Sequence, residues 1–346
     1  MSIESLRGYL DERLGGRVPI AVDPIRGGGS CEVFALDRGE SSWVLRMAPR
    51  HASSATAHDV LREFRILDAI KDEAVRIARP VLSCRDAKVF GAPFYVMERI
   101  SGSPIRASLP PGWAVAPETH GQALDELIDA LVAIHAVDWE ACGLGDLAHT
   151  GDYLGGQLTR WLSHLEGTGG RDLPVAHRVA GWLSGHRPPA QASALCHGDY
   201  KLDNLLFAAD PPPRLLAVVD WEMAAIGDPM IDLAWALIFH PGPEGTMPLG
   251  RTKDPKFALD HLPGRDELVD RYAERSGRDA GAMAWYDVFA RWKLAIVLEG
   301  SYAKHQRGLS DNPVHQFFGH QVDVLLDSAA AMLSQGGELS ARGGSH

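Results

Sequence analysis

Residues 194–207 read "ALCHGDYKLDNLLF", in which a histidine, two aspartates, a lysine and an asparagine sit between apolar flanks. Polar side chains in such a setting cost free energy unless they are paired, so the stretch is either a closed turn or a working site. Asp199 and Asn204 stand five positions apart, the spacing of the kinase catalytic pattern H-R-D-x-x-x-x-N. Just beyond, "LLAVVDWE" is an apolar strand that ends in Asp220. Phosphoryl transfer needs a carboxylate to orient or deprotonate the attacking hydroxyl, and hard oxygen ligands for the Mg²⁺ ions that neutralise a triphosphate. Asp199 suits the first task; Asn204 and Asp220 suit the second. A turn closed by Asx hydrogen bonds accounts for Asp203 but gives no reason for Asp220 at a strand end.

Towards the N-terminus, "PIRGGGSCEVFALDRGESSWVLRMAP" predicts strand, glycine turn, strand, Asp-Arg-Gly turn and strand. Gly28, Gly29 and Ser30 in the first turn let backbone N–H groups come close to a phosphate. A strand and not a helix follows, which argues against a P-loop or a dinucleotide fingerprint. Arg46 lies in the third strand, and Val60, Phe64 and Leu67 mark a helix that also carries Glu63. A cation fixed by a helix carboxylate is how a bilobal kinase holds its nucleotide. The alternative is an edge strand with a solvated arginine and a Glu63 that faces water. "RPVLSCRDAKVFGAPFYVMERISG" returns to two strands, so a small sheet with one main helix ends near Gly102.

Past about Pro117 the pattern turns helical. Leu124, Ile128, Leu131 and His135 form one stripe, which makes His135 a core histidine, and "GDPMIDLAWALIFH", "RDELVDRYAER" and "AWYDVFARWKLAIVLEGSYAKHQ" read as helices. "NLLF" and "LLAVVD" form the one β-ribbon expected among them. Asp228 and Asp232 begin a helix, where carboxylates cap free N–H groups, and Asp232 is expected to reach back to the backbone of the 197–204 loop.

The 346 residues are 45% hydrophobic and 23% charged, a composition of soluble globular domains. Lys plus Arg is 34 against 45 for Asp plus Glu, a net charge of −11 without a long basic run, which excludes nucleic acid as the expected partner. Cys31, Cys84, Cys142 and Cys196 are scattered without a CxxC pair, so neither a disulfide framework nor a zinc site is expected. No apolar run approaches the ~18 residues that span a bilayer. The N-terminal segment reads as an amphipathic helix and not as a signal peptide, so no membrane partner and a cytoplasmic location are expected. "SQGGELSARGGSH" at the C-terminus has the composition of a frayed tail.

With these stretches in place, the chain resembles the aminoglycoside phosphotransferase and choline kinase-like superfamily over nearly its whole length. The matching motifs are "GGGSCEVFAL", "WVLRMAP", "LREFRIL", "FYVMERISG", "CHGDYKLDNLLF" and "AVVDWEMAAIGDPMIDLAW". The Asp-Trp-Glu metal motif, "GDYLGGQLTRW" and "LAIVLEGSYA" are similar to a narrower branch, the phosphotransferase domains fused to or encoded beside acyl-CoA dehydrogenases. The resemblance implies an α+β, bilobal protein kinase-like fold. Residues 1–102 form a nucleotide-binding lobe with its hinge at about 97–102, and residues 103–346 form a helical catalytic and acceptor-binding lobe.

It also implies ATP and Mg²⁺ as cofactors and a small-molecule hydroxyl as acceptor. Glu98 to Ile100 then offer hinge backbone to adenine, Arg46 holds phosphates, and Lys201 meets the transferred phosphoryl group. Arginine at position 46 replaces the lysine of most kinases, but is usual in this branch. The narrower branch points to a hydroxyacyl-CoA acceptor and the superfamily name to an aminoglycoside. A protein kinase is disfavoured, since "DWEMAAIGDPMIDLAW" leaves no long activation segment or A-P-E motif. A non-catalytic nucleotide-binding module is disfavoured by the intact Asp199, Asn204 and Asp220.

Overall fold

A computed structural model describes residues 2–25, 31–49, 59–106, 108–149, 151–240 and 261–342. Helix α1 (Ile3–Leu14) starts at Ser2, whose hydroxyl accepts the Ser5 N–H. Strands β1 (Ile20–Pro24), β2 (Glu32–Arg38) and β3 (Ser41–Met47) follow. Helix α2 (Val60–Ile70) is capped by Asp59, which accepts the N–H groups of Leu61 and Arg62. Strand β4 (Pro80–Cys84), one-turn helix α3 (Ala87–Phe90) and strand β5 (Phe94–Glu98) complete an antiparallel sheet of order β1-β2-β3-β5-β4.

Strand β3 is therefore interior, and Arg46, opposite Val33 on one side and Tyr95 on the other, is no edge residue. Leu6 and Leu10 of α1 and Phe90 of α3 close a core over Phe34, Leu36, Leu45, Phe94 and Val96. Helix α2 belongs to a different core. Its buried Ile66, Leu67 and Ile70 pack into the same cluster as the helices of the second half. A backbone bond from the Val218 N–H to the Arg76 carbonyl (2.8 Å) adds a second tie between the halves.

The second half contains β6 (Ser103–Pro104), α4 (Gly121–His135), α5 (Tyr153–Gly167) and α6 (Pro174–Gly185). It continues with β7 (Ala194–Cys196), β8 (Leu205–Phe207), β9 (Leu215–Val218), β10 (Ala225–Gly227), α7 (Met230–Leu237), α8 (Arg265–Ser276), α9 (Met283–Gln306) and α10 (Phe318–Arg342). All four stripe residues of α4 are buried as expected. Helix α9 is buried on nearly every side, with Trp285 and Trp292 in its core, and so forms the spine of this half.

Three readings change. The β8–β9 ribbon is not alone, because β6 pairs with β8, and β7 pairs with β10. These partners are only two or three residues long, too short for alternation to show. The C-terminal segment is helical through Gly336 and Gly337 to Arg342, since it extends an α10 whose Val322, Leu325 and Leu326 are anchored in the core. Helix α5 is marked in the sequence only by the motif "GDYLGGQLTRW", and α6 is not among the elements expected there. Among the described residues, no helix is long and apolar enough to cross a membrane.

Candidate active site

The loop between β7 and β8 is held from below and from one side. Asp232, in the first turn of α7, accepts the His197 N–H (2.5 Å) and the Gly198 N–H (2.9 Å), as the sequence led one to expect. Burial raises its carboxyl, but His135 and these donors outweigh it and bring the pKa below the usual value. His197 Nδ1 accepts the Asp199 N–H, so its proton sits on Nε2, which donates to the Val219 carbonyl (3.0 Å). That bond, and the Val219 N–H to the Asn204 carbonyl (2.9 Å), lock the loop to the strand end that carries Asp220.

The Asp199 carboxylate accepts from three side chains. Lys201 Nζ lies 2.8 and 2.7 Å from its two oxygens, Asn204 Nδ2 is 3.0 Å from Oδ2, and Trp235 Nε1 donates to Oδ1 at 2.8 Å. The four acceptor positions of a carboxylate are thus filled. Lys201 meets Asp199 here. Asn204 Nδ2 also donates to the Asp199 carbonyl (2.9 Å), which fixes its amide orientation and turns the oxygen away as a hard donor.

Across the cleft, Arg46 Nε is 2.8 Å from Glu63 Oε2, and Nη2 is 2.5 Å from Asp220 Oδ1 and 3.3 Å from Glu222 Oε2. Glu63, 1% exposed, also accepts the Trp221 N–H at 2.9 Å, so it does not face water. Burial pushes its carboxyl up to about 7 against the pull of Arg46. Burial likewise opposes the Arg46 charge, but Glu63 and Asp220 outweigh it and raise that pKa, so the guanidinium stays charged. Asp220 adopts the left-handed conformation (φ 70°, ψ 62°), sparsely populated outside glycine and asparagine or aspartate. The Asp220 carboxylate at the strand end, one backbone hydrogen bond from the loop that carries Asn204, is a hard oxygen donor of the kind Mg²⁺ takes.

Of the expected site residues, Asp199, Lys201 and Asn204 meet in one cluster and Arg46, Glu63 and Asp220 in another, linked through Val219. Glu98 and Ile100 lie at and just past the end of β5, and the Glu98 N–H donates to the Arg79 carbonyl (2.8 Å). Gly28, Gly29 and Ser30 lie outside the described residues. Glu222, the last residue of the Asp-Trp-Glu motif, joins Arg46, whereas Trp235 and a buried Lys293 were missed: tryptophan and lysine in apolar helices read as core and surface, and only tertiary contacts bring them towards Asp199.

One trio of metal-ligand types occurs among the described residues, His135, Cys196 and Asp232. Both Asp232 oxygens serve backbone N–H groups and His135 Nδ1 meets the Tyr272 hydroxyl (2.7 Å), so the trio is structural and His135 is the core histidine expected.

The model of the phosphotransferase enzyme family matches residues 21–286, from β1 to the start of α9. The chain belongs to this family. A Ralstonia eutropha protein, itself only provisionally assigned to the aminoglycoside phosphotransferases, has a similar structure. Its TM-score is 0.80 at 28% identity, over 95% of this chain and 98% of that one. Choline kinase from Cryptosporidium parvum (TM-score 0.64, 12% identity, 97% of each chain) shares the kinase-like fold. Acyl-CoA dehydrogenase family member 11 of Mus musculus is 30% identical over 88% of this chain. An Arabidopsis thaliana acyl-CoA dehydrogenase-type protein is 28% identical over 89% of it. This phosphotransferase chain spans about two fifths of the length of these curated relatives, 40% and 39% respectively.

Proposed function

We propose that this phosphotransferase moves the γ-phosphoryl group of ATP, with Mg²⁺, to a hydroxyl group of a small molecule. The observation that carries the reading is the meeting of Arg46–Glu63 from the sheet side with Asp220 from the helical side, one backbone bond from Asn204, whose amide in turn holds Asp199.

In this reading Asn204 and Asp220 hold Mg²⁺, which supplies charge neutralisation on the triphosphate. Arg46, fixed by Glu63, holds nucleotide phosphates, Gly28, Gly29 and Ser30 cover them, and the backbone of Glu98 and Ile100 meets adenine. Asp199 orients the acceptor hydroxyl and takes its proton as the oxygen attacks phosphorus and ADP leaves. To do so it needs a vacant acceptor position. Of its three donors, Trp235 and Asn204 are buried, whereas the Lys201 side chain is 25% exposed. Lys201 is the donor free to turn away, and the arriving phosphoryl oxygens are its natural new partner.

For the acceptor, the relatives named as acyl-CoA dehydrogenases and the motifs of that branch support a hydroxyacyl-CoA. The alternative, an aminoglycoside, has the description of the Ralstonia eutropha structure in its favour. The test is transfer of label from γ-labelled ATP to hydroxyacyl-CoAs and aminoglycosides. Asp199→Asn is expected to lower kcat by ~10²–10⁴ on whichever acceptor is used. Turnover retained in that variant sinks the assignment of Asp199.

A further inference from the structure

Behind the loop that carries Asp199 stands a lysine which the reaction as described does not use. Lys293, in the middle of α9, is 6% exposed. Its Nζ lies 4.1 Å from the centre of the Trp235 ring and 5.4 Å from that of Trp161, and 3.2 Å from the Gly198 carbonyl oxygen. Trp235 is the residue whose indole N–H meets Asp199. The ammonium is therefore two contacts from the Asp199 carboxylate, and it sits in an aromatic setting of the kind that takes quaternary ammonium ligands elsewhere.

Two donors on this wall are under-used. An ammonium has three protons, and Lys293 has one hydrogen bond among the described residues, to Gly198. Trp161, 7% exposed, has an indole N–H that is buried without a partner. A buried donor without an acceptor is costly, and natural structures rarely keep one without a use. Arg160 adds a further cation over the Trp161 ring, 5.7 Å from its centre. The nearby carboxylates are committed, Asp199 to Lys201, Asn204 and Trp235, and Asp232 to backbone N–H groups. The wall offers donors and positive charge, and its cation place is filled from within.

We propose that Lys293 and Trp161 form an oxygen-reading subsite, which selects acceptors carrying a carboxylate or carbonyl oxygen near the hydroxyl and rejects those carrying an ammonium there. This rests on the reading of Asp199 as the group that faces the acceptor. It makes Lys293 the specificity-determining residue of the cleft. The Lys293 pKa, brought down to about 8 by burial against the pull of Asp232 and Asp199, is in keeping with a cation short of partners.

The test compares two small alcohols of opposite charge, 3-hydroxybutyrate and choline, with tetramethylammonium as a probe of the cage alone. Binding is followed by calorimetry on the wild type, Lys293→Met and Lys293→Ala, with turnover measured separately. The wild type is expected to bind 3-hydroxybutyrate at least ~10-fold more tightly than choline, on the scale of one charge-assisted hydrogen bond. Lys293→Met loses that preference, with any kinetic loss falling on the acceptor KM. Lys293→Ala, which opens the cage, gains tetramethylammonium binding that the wild type and Lys293→Met lack.

The proposal is overturned if the wild type binds choline as well as 3-hydroxybutyrate, if Lys293→Met keeps the preference, or if the opened cage leaves tetramethylammonium unbound. It is equally overturned if either variant cannot be purified folded, since Lys293 is then a structural ion of the core. Because the decisive readout is binding, charge discrimination without phosphoryl transfer sinks the proposed function and leaves the subsite standing.

Discussion

At Gly198 the backbone has φ +86°, and a Cβ there would overlap the Met223 carbonyl oxygen and lie 2.8 Å from the Met223 Cβ. Neither a left-handed alanine nor a displaced main chain comes cheaply, so Gly198→Ala is expected to cost about 3 kcal/mol in urea unfolding. It is also expected to shift Asp199, and if Asp199 is the acceptor-facing group proposed above, a shift of about 1 Å lowers turnover by roughly 10²-fold. A variant with wild-type stability and turnover would show that the loop has room which the geometry denies. The "HGD" string was legible because local spacing carries it: histidine, glycine and aspartate each act within a few residues of the loop. Trp235 was not legible as a partner of Asp199, since its contact joins positions 36 apart and a tryptophan in an apolar helix reads first as core.

Among the elements, α9 shows most clearly what patterning can and cannot tell. Its length and its buried aromatic residues were evident from the sequence, yet the side of the helix that Lys293 faces depends on where α5 and α7 pack. A base whose folded-state pKa lies below its unfolded value destabilises the fold while it is charged. For Lys293 the full cost is present below pH 8 and fades as the pH rises from about 8 to 10.5. Its size is about 3 kcal/mol. Lys293→Met keeps the length of the side chain and drops the buried charge, so it is expected to be more stable than the wild type at pH 7. The Tm difference between the two should shrink steadily between pH 8 and 10.5, and a difference that grows over that range contradicts the assignment. The short strands β6, β7 and β10 were missed for a related reason: their pairing is set by the loop they flank and not by their own residues.

For the whole molecule, the question is why a site assembled from two halves should report on the stability of both. Arg46 and Glu63 come from the sheet half and Asn204 and Asp220 from the other, while α2, which carries Glu63, is buried in the core of the second half. Opening the cleft by loss of the Arg46 contacts therefore disturbs the packing of α2, and ligand that bridges the halves stabilises the fold that both cores share. A ligand that binds the folded state alone adds RT ln(1 + [L]/Kd), about 2.7 kcal/mol at one hundred times Kd. Glu63, Asp220 and Glu222 gather round a single guanidinium, so under the proposed function Mg²⁺ with ATP is expected to relieve carboxylate repulsion, and the added stability should exceed that from ATP with chelator. Asp220→Asn keeps the size of the side chain and removes one charge, and it is expected to lose the Mg²⁺-dependent part of the Tm rise. Thermal unfolding with ATP in Mg²⁺ or in EDTA measures this directly. An equal Mg²⁺-dependent rise in the wild type and in Asp220→Asn would place the metal on other residues than the strand end that first pointed to it.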